Sequence, residues 1–375
     1  MVRAHKDPFK IASADKTIAK NLIGNNVGNL IFSQASYRLL SHKNAKVRRY
    51  NGQSAWFMNH TADAFVVPLA NAFRKAFVDP LNTLSDLIED LKIPVIVLGV
   101  GAQSGRDNSP EVIEAAKRFV SAVLNHSAKI GVRGEYTKQY IQSLGFAADN
   151  IEVIGCPSMF MHGNEIRVSK KVDQIERDSE IALTLSPYRK KMAPIANANL
   201  AEYPNLTYFA QDVATLRVMR GGEFMEKDRP GMPISREHPL LSQDKTVFPL
   251  DPKTWFDELA KRDFTFGSRI HGTIASIIAE TPALLLAHDS RTTELADYHR
   301  LPYKQLKEIE SNVLARELYD FVDYAPMFAQ HLENFDRMMA FMKLNGLQPA
   351  TAEDNVEFDA RIAATKYPPI VRVKS

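Results

Sequence analysis

Arg269 and His271 are the residues in this sequence best suited to chemistry, and they stand two apart in the stretch FGSRIHG. A guanidinium is a planar two-pronged donor for phosphate or carboxylate, and an imidazole can give or take a proton near neutral pH. If the chain is locally extended there, both side chains project the same way and meet one anion. Alternatively, Arg269 pairs with a surface carboxylate and His271 caps a helix, and spacing alone leaves both interpretations open.

The elements around this pair predict where it lies in the fold. Residues 264–267 form an apolar strand, residues 268–271 a polar turn and residues 272–279 a short buried helix. Strand, turn and helix in this order make half of a parallel α/β unit, whose turn lies at the carboxyl edge of the sheet. The first N–H groups of the helix also point at that edge. We therefore predict an anion site there, with Ser268 and Gly272 contributing to it.

The rest of the chain alternates strands and helices. Pro110 and Pro252 stand at first helical positions, and the charged segment 165–180 predicts a domain boundary. We predict an α/β fold with two doubly wound, Rossmann-like domains facing a cleft: an N-terminal domain (1–170) on the acceptor side, a C-terminal domain (171–325) on the donor side, and a helical segment (326–375) packing back on both. Short β-branched or apolar runs supply the predicted parallel strands at 63–68, 95–100, 129–132, 151–154, 181–185 and 207–210.

Both ends of the chain contain further helical patterns. Residues 24–40, GNNVGNLIFSQASYRLL, fit a glycine-rich turn that enters a helix. Near the other end, apolar side chains recur at spacings of four and three, which predicts one apolar helical face covering the domains. These side chains are Phe328, Leu332, Phe335, Met339 and Met342.

Composition narrows the class of protein. A chain of 375 residues is long for one core, and 47 basic against 44 acidic residues argue against a nucleic-acid partner. The first twenty residues lack the apolar core of a signal peptide, and the apolar stretch 274–287 is too short to span a bilayer. Cys156 is alone, and no His or Cys pair has metal-ligand spacing. We expect a cytoplasmic protein without a metal or cofactor and with at most peripheral membrane contact.

Four segments of the sequence together resemble one known family. Residues 267–302, GSRIHGTIASIIAETPALLLAHDSRTTELADYHRLP, closely resemble the signature segment of the polysaccharide pyruvyl transferases. Three upstream segments resemble the family's N-terminal half in the expected order: IPVIVLGVGAQS (93–104), KIGVRGEYTKQYIQSLGF (129–146) and VIGCPSMF (153–160). The resemblance implies a GT-B-like architecture and an enzyme of cell-surface polysaccharide biosynthesis. Such an enzyme moves the enolpyruvyl unit of phosphoenolpyruvate onto a glycan or lipid-linked sugar as a ketal.

The resemblance also implies roles for individual residues. His271 matches the histidine of the family's S-x-R-x-H turn, and a positioned histidine suits general acid catalysis. Arg133 matches the arginine of the GVR segment and would face Arg269 across the cleft, although a helix-end ion pair is the alternative. Asp212 stands where a family carboxylate is expected and could accept hydroxyl protons, whereas the alternative is an ordinary helix cap.

Three further positions follow predicted strands and could contact substrate. Arg291 and His288 flank the turn after the strand at 283–287, where the alternatives are a solvated arginine and a histidine bonded to a loop carbonyl. Asn71 could contact the acceptor sugar, or simply form a turn. Two other functions remain open at this point: a GT-B glycosyltransferase that uses a nucleotide sugar, and a non-catalytic sugar- or anion-binding protein.

Overall fold

The N-terminal half contains short parallel strands stacked side by side. The computed structural model describes residues 7–10, 12–40, 45–47, 54–105, 108–224 and 229–373, so part of the first twenty residues lies outside the described ranges. The parallel pairs are β1 (Phe65–Pro68) with β3 (Val95–Leu98), β2 (Asn71–Phe73) with β4 (Gly101–Ala102), and β5 (Ile130–Val132) with β6 (Ile151–Val153). The amides of Gly99 and Val100 donate to the Gly131 carbonyl, which joins β3 to β5.

The C-terminal half is built on a seven-stranded sheet with the order β12-β11-β10-β7-β8-β9-β13 within the described ranges. Its first six strands in the chain are parallel and occur in the spatial order 3-2-1-4-5-6, which is the doubly wound Rossmann order. β13 pairs antiparallel with β9 at the edge. The strands are β7 (Ile181–Thr184), β8 (Thr207–Phe209), β9 (Thr246–Phe248), β10 (Phe264–Gly267), β11 (Ala283–Ala287), β12 (Tyr303–Gln305) and β13 (Val371–Arg372).

Helices cover the strands of both halves. Residues of β7, β10 and β11 are all buried, as expected for parallel strands covered on both faces. Pro110 and Pro252 begin helices as predicted, and the Asp251 carboxylate accepts from the Thr254 amide at 2.8 Å as a cap. The described helices are α1 (Ala14–Lys20), α2 (Gly28–Arg38), α3 (Ala55–Thr61), α4 (Val78–Glu89), α5 (Pro110–Leu124), α6 (Glu135–Ser143), α7 (Met192–Glu202), α8 (Val213–Met219), α9 (Pro239–Ser242), α10 (Pro252–Leu259), α11 (Ile270–Ile278), α12 (Ser290–His299), α13 (Ala315–Asp320), α14 (Ala325–Leu344) and α15 (Ala352–Ala364).

The two ends of the chain cross between the halves. α2, which follows the predicted glycine-rich turn, buries Ile31 and Phe32 in the same core as the C-terminal sheet. α14, near the other end of the chain, packs on the N-terminal half, with Met338 and Phe341 against Ile96 of β3. The prediction of two Rossmann-like, GT-B-like halves around a cleft is confirmed. The numbered domain boundaries stay a prediction.

The predicted apolar face of α14 was partly wrong. Phe328 and Leu332 are 43% and 53% exposed. The buried face instead includes His331 and Asn334, because each polar side chain bonds a backbone carbonyl: His331 Nε2 lies 3.2 Å from the Gly163 oxygen, and Asn334 donates to Tyr298 at 3.0 Å. Periodicity of apolar residues could not reveal a face that includes satisfied polar groups. Within the described residues, no helix combines the length and apolar character that crossing a membrane requires.

Candidate active site

A cleft of about 1060 Å³ lies between the two halves. In open α/β folds, ligands bind at the carboxyl edge where the strand order reverses, which here is at the ends of the neighbouring strands β7 and β10. The cleft runs from these strand ends to the ends of β2 and β5. The predicted site residues that line it are Asn71, Arg133, Asp212, Ser268, Arg269, His271, His288 and Arg291.

The turn after β10 is hydrogen-bonded to the end of the neighbouring strand β7 and to the residues that follow it. The Ser268 and Arg269 amides donate to the Thr184 carbonyl at 2.8 and 3.2 Å. The Ser268 hydroxyl, fully buried, accepts from the Ser186 amide at 3.0 Å, so this side chain secures the turn. Gly267 has φ +148, and a Cβ there would lie 2.0 Å from the Thr184 oxygen. Only glycine is compatible with this close approach.

The helix after this turn begins two residues earlier than predicted. α11 starts at Ile270, so Arg269 is its N-cap and His271 lies in its first turn. Gly272 is buried behind the cleft surface, since a Cβ there would lie 2.6 Å from Gln211 and 2.7 Å from Thr184. Gly272 is not among the residues that line the cleft, and its contribution to substrate binding stays a prediction. Its missing side chain lets α11 pack against β7.

Asp212 and Arg269 form an ion pair in the cleft wall. Asp212 precedes α8 but makes no side-chain cap bond there, so the capping alternative does not describe it. Its carboxylate instead accepts from the Arg269 guanidinium. Burial raises the pKa of Asp212, and Arg269 opposes that rise. A carboxylate with a raised pKa is a suitable proton acceptor.

His271 lies in a strongly positive environment. Burial, followed by the charges of Arg133, Arg269 and Arg291, lowers the pKa of His271 to about 4. Its Nε2 lies 3.9 Å from the Cys156 Sγ. The imidazole is therefore neutral at pH 7 in the protein alone. The positive charges of the three guanidiniums disfavour the protonated imidazole, although Arg269 and Arg291 are themselves paired with Asp212 and Asp289.

The turn after β11 contributes the remaining charges. The Asp289 carboxylate accepts from the Thr292 amide at 3.0 Å and contacts Arg291 at 2.6 Å. It also lies 3.5 Å from His288 Nε2 and 3.3 Å from Arg189. Although burial would raise it, Arg291 and His288 hold the pKa of Asp289 well below its usual range. Burial lowers the pKa of His288 to about 4, and nearby arginines add to that effect.

Several residues of the site were missed by the sequence reasoning. Asp289 carried a usable signal, because Asp followed three residues later by Thr is a helix-start pattern. Glu294 and Gln211 carried none. Glu294 lies 3.9 Å from Arg133, and Gln211 is fully buried beside the cleft with neither amide atom bonded within the described residues. Among the residues that the structure describes, no group of three or more His, Cys, Asp or Glu side chains could hold a metal ion.

Fold and site together define a GT-B-like α/β protein whose interdomain cleft is lined by Arg133, Arg269 and Arg291. The family model described as polysaccharide pyruvyl transferase matches residues 26–290, more than half of the chain. The protein belongs to this family, which supports a role in polysaccharide pyruvylation. A search of curated proteins found no match.

Solved structures with similar folds are distant in sequence. S. aureus MnaA, in a co-structure with UDP, is 13% identical with a TM-score of 0.41, over 87% of this chain and 83% of that one. UDP-GlcNAc 2-epimerase from Neisseria meningitidis, bound to UDP-GlcNAc, is 11% identical with a TM-score of 0.41, over 89% and 81%. The kitacinnamycin glycotransferase is 9% identical with a TM-score of 0.35, over 80% and 76%. Scores this low assign no ligand to this chain.

Proposed function

We propose that this protein transfers the enolpyruvyl group of phosphoenolpyruvate to two hydroxyls of one sugar, forming a pyruvate ketal in cell-surface polysaccharide biosynthesis. The observation that carries the proposal is that Arg133, Arg269 and Arg291 line the same cleft as His271. A phosphate with a neighbouring carboxylate needs several cationic donors, and guanidiniums bind both groups in a bidentate manner. Phosphoenolpyruvate is an intracellular metabolite, so the reaction would take place in the cytoplasm.

The charges of the donor account for the protonation of His271. In the protein alone, burial and, after it, the charges of the three arginines keep the imidazole neutral. A bound trianionic donor offsets the arginine charges and raises the pKa of His271. Binding of the donor thus favours protonation of His271, which must then deliver this proton. His271 would become an effective acid only when phosphoenolpyruvate is in place.

The proton then passes from His271 to the methylene carbon of the donor. The methylene becomes a methyl group, and the carbon that carries the phosphate becomes an oxocarbenium-like electrophile. One sugar hydroxyl attacks this carbon and loses its proton, the C–O bond to phosphate breaks, and a second hydroxyl of the same sugar closes the ketal with loss of its own proton. One released proton returns to His271 and the other leaves with phosphate. The protein supplies position and charge stabilisation.

Asp212 is the candidate first acceptor of the hydroxyl protons, which it would pass on to His271 and to phosphate. It is buried, its pKa is raised by that burial, and it lies in the same cleft wall as His271. Its ion pair with Arg269 couples the acceptor of protons to a donor-binding group. The acceptor would be a free glycan or a lipid-linked sugar that fills the rest of the cleft.

Release of phosphate from phosphoenolpyruvate in the presence of sugar acceptors tests the proposal. We expect release only when a suitable free or carrier-linked sugar is present, together with an acid-labile ketal in the product. Transfer or hydrolysis of nucleotide sugars, with phosphoenolpyruvate ignored, would instead identify a glycosyltransferase. Binding of phosphoenolpyruvate without phosphate release across the acceptor panel would identify a binding protein.

Variants of the turn after β10 separate binding from chemistry. His271→Ala should lower turnover by about 10²-fold to 10⁴-fold while phosphoenolpyruvate affinity changes little, because a general acid acts mainly in the transition state. Arg269→Ala should lower both. Equal losses of affinity and turnover in His271→Ala would make the histidine a binding residue only.

A further inference from the structure

Glu294 is a buried carboxylate for which the proposed reaction has no use. It lies in the second turn of α12, in the C-terminal half, and its side chain is 5% exposed. Burial raises its pKa, and Arg133 opposes that rise. A buried carboxylate is costly unless it is paired and hydrogen-bonded. Its partners therefore explain why it is there.

Those partners belong to the other half of the protein. Glu294 Oε2 accepts from the Thr137 backbone amide at 3.1 Å, and the Thr137 hydroxyl lies 3.0 Å from Oε1. Thr137 is the third residue of α6, whose N-cap is Gly134 and has no side chain to offer. The first amides of a helix need acceptors, and a negative charge at that end is favourable. Glu294 thus caps α6 from the other half of the protein, at the interface where α12 packs on α6.

The local sequence makes room for this contact. A Cβ on Gly134 would lie 2.8 Å from Glu294 Oε2, so a side chain there would displace the carboxylate. The backbone of Gly134 is extended, with φ −172, which any residue can adopt. The glycine is therefore required by the approach of Glu294 and not by its own conformation. The Ser104 amide, which donates to the Ser290 hydroxyl at 3.0 Å, ties the same helix to the N-terminal half a second time.

The same carboxylate faces Arg133. Arg133 Nε lies 3.9 Å from Glu294 Oε1, and its side chain is only 11% exposed. The guanidinium lies directly over Gly101, where a Cβ would be 2.0 Å from Nε. The backbone amide of Arg133 donates to the Val100 carbonyl at 3.0 Å. Backbone, glycine and carboxylate together hold the guanidinium in the cleft.

We infer that Glu294 is a positioning residue: it caps α6 across the interface between the halves and holds Arg133 in the orientation that receives the donor anion. The inference rests on the proposed function, in which Arg133 binds phosphoenolpyruvate. It also predicts a change in anion affinity that is opposite in direction to the change expected from simple electrostatics. Removing a negative charge near an anion site should tighten anion binding. Loss of a positioning residue should weaken it.

A double-mutant cycle on phosphoenolpyruvate affinity tests the coupling. Glu294→Gln keeps the shape and removes the charge, and we expect its dissociation constant, measured by calorimetry, to rise about tenfold, or about 1.4 kcal/mol. The double variant with Arg133→Met should bind no more weakly than Arg133→Met alone, because Glu294 acts through Arg133. Unchanged or tighter binding in Glu294→Gln, or fully additive losses, would overturn the inference.

Controls separate positioning from general damage. Glu310→Gln makes the same chemical change at an exposed position and should leave affinity and thermal unfolding unchanged. If Glu294→Gln does not fold, Thr137→Val keeps the charge and removes the hydroxyl that contacts Glu294 and also accepts from the Ala102 amide, and it should weaken donor binding in the same direction. Unaltered affinity in Thr137→Val would then count against the inference.

Hydrogen exchange without ligand keeps the test independent of the proposed function. Amides at the start of α6 should exchange faster in Glu294→Ala than in Glu310→Ala. If the wild-type protein binds no phosphoenolpyruvate, the proposed function fails and the exchange result decides the interdomain cap alone. Equal exchange in the two variants would overturn it.

Discussion

Binding of phosphoenolpyruvate should place a proton on His271, and the structure indicates how much. The pKa of His271 is about 4 in the protein alone, so about 1% of the rings are protonated at pH 6. If donor charges offset the arginines and burial, the pKa returns to about 6.5 and about three quarters are protonated. The difference predicts an uptake of about 0.7 proton per donor bound at pH 6. Restoring this pKa requires about 3 kcal/mol of favourable interaction.

Calorimetry in two buffers of different ionisation enthalpy measures this uptake. The donor phosphate has its own pKa near 6 and releases protons when it binds to arginines. That release is common to the wild type and His271→Asn, so the difference between the two proteins isolates His271. His126, at the opposite edge of the N-terminal sheet, provides the matched control His126→Asn, which should behave like wild type. Equal proton linkage in wild type and His271→Asn, with binding retained, would refute the reasoning.

Asp212→Asn should lower turnover by about 10²-fold to 10⁴-fold without weakening phosphoenolpyruvate binding, as judged by steady-state rates beside calorimetry. Arg133→Lys should weaken that binding by about 1 to 3 kcal/mol, because lysine cannot make a bidentate contact; an unchanged dissociation constant would leave Arg133 a structural residue. In denaturant unfolding, Leu332→Ala should change the free energy by less than about 0.5 kcal/mol and Met338→Ala should cost about 2 to 5 kcal/mol. Burial lowers the pKa of His299 from 6.5 to about 3. The free energy of unfolding should therefore fall as the pH drops from about 6.5 to about 3, and it should fall less steeply in His299→Gln.

Local patterns in the sequence were sufficient to predict much of the fold. Alternating β-branched runs and helix starts at Pro110 and Pro252 identify strands and helices because these signals depend on neighbours in the chain. The order of strands then allows only a few topologies, among which the doubly wound arrangement is common. The turn with Arg269 and His271 could be placed at a sheet edge for the same reason.

Other parts of the fold depend on partners that are distant in the chain. The buried face of α14 includes His331 and Asn334, because carbonyls at Gly163 and Tyr298 satisfy them. Glu294 meets Thr137 at a separation of 157 residues. No pattern of spacing predicts either contact, since each depends on how the two halves meet.

The sequence by itself determined which groups are available for chemistry: arginines for an anion, one histidine for a proton and Asp212 as a carboxylate. The tertiary structure decided the surroundings of these groups and, for His271, the pKa. Arg133 comes from one half and Arg269 and Arg291 from the other, and together with burial they lower the pKa of His271 to about 4. Such a shift follows from distance and dielectric surroundings, which exist only after the halves enclose the cleft.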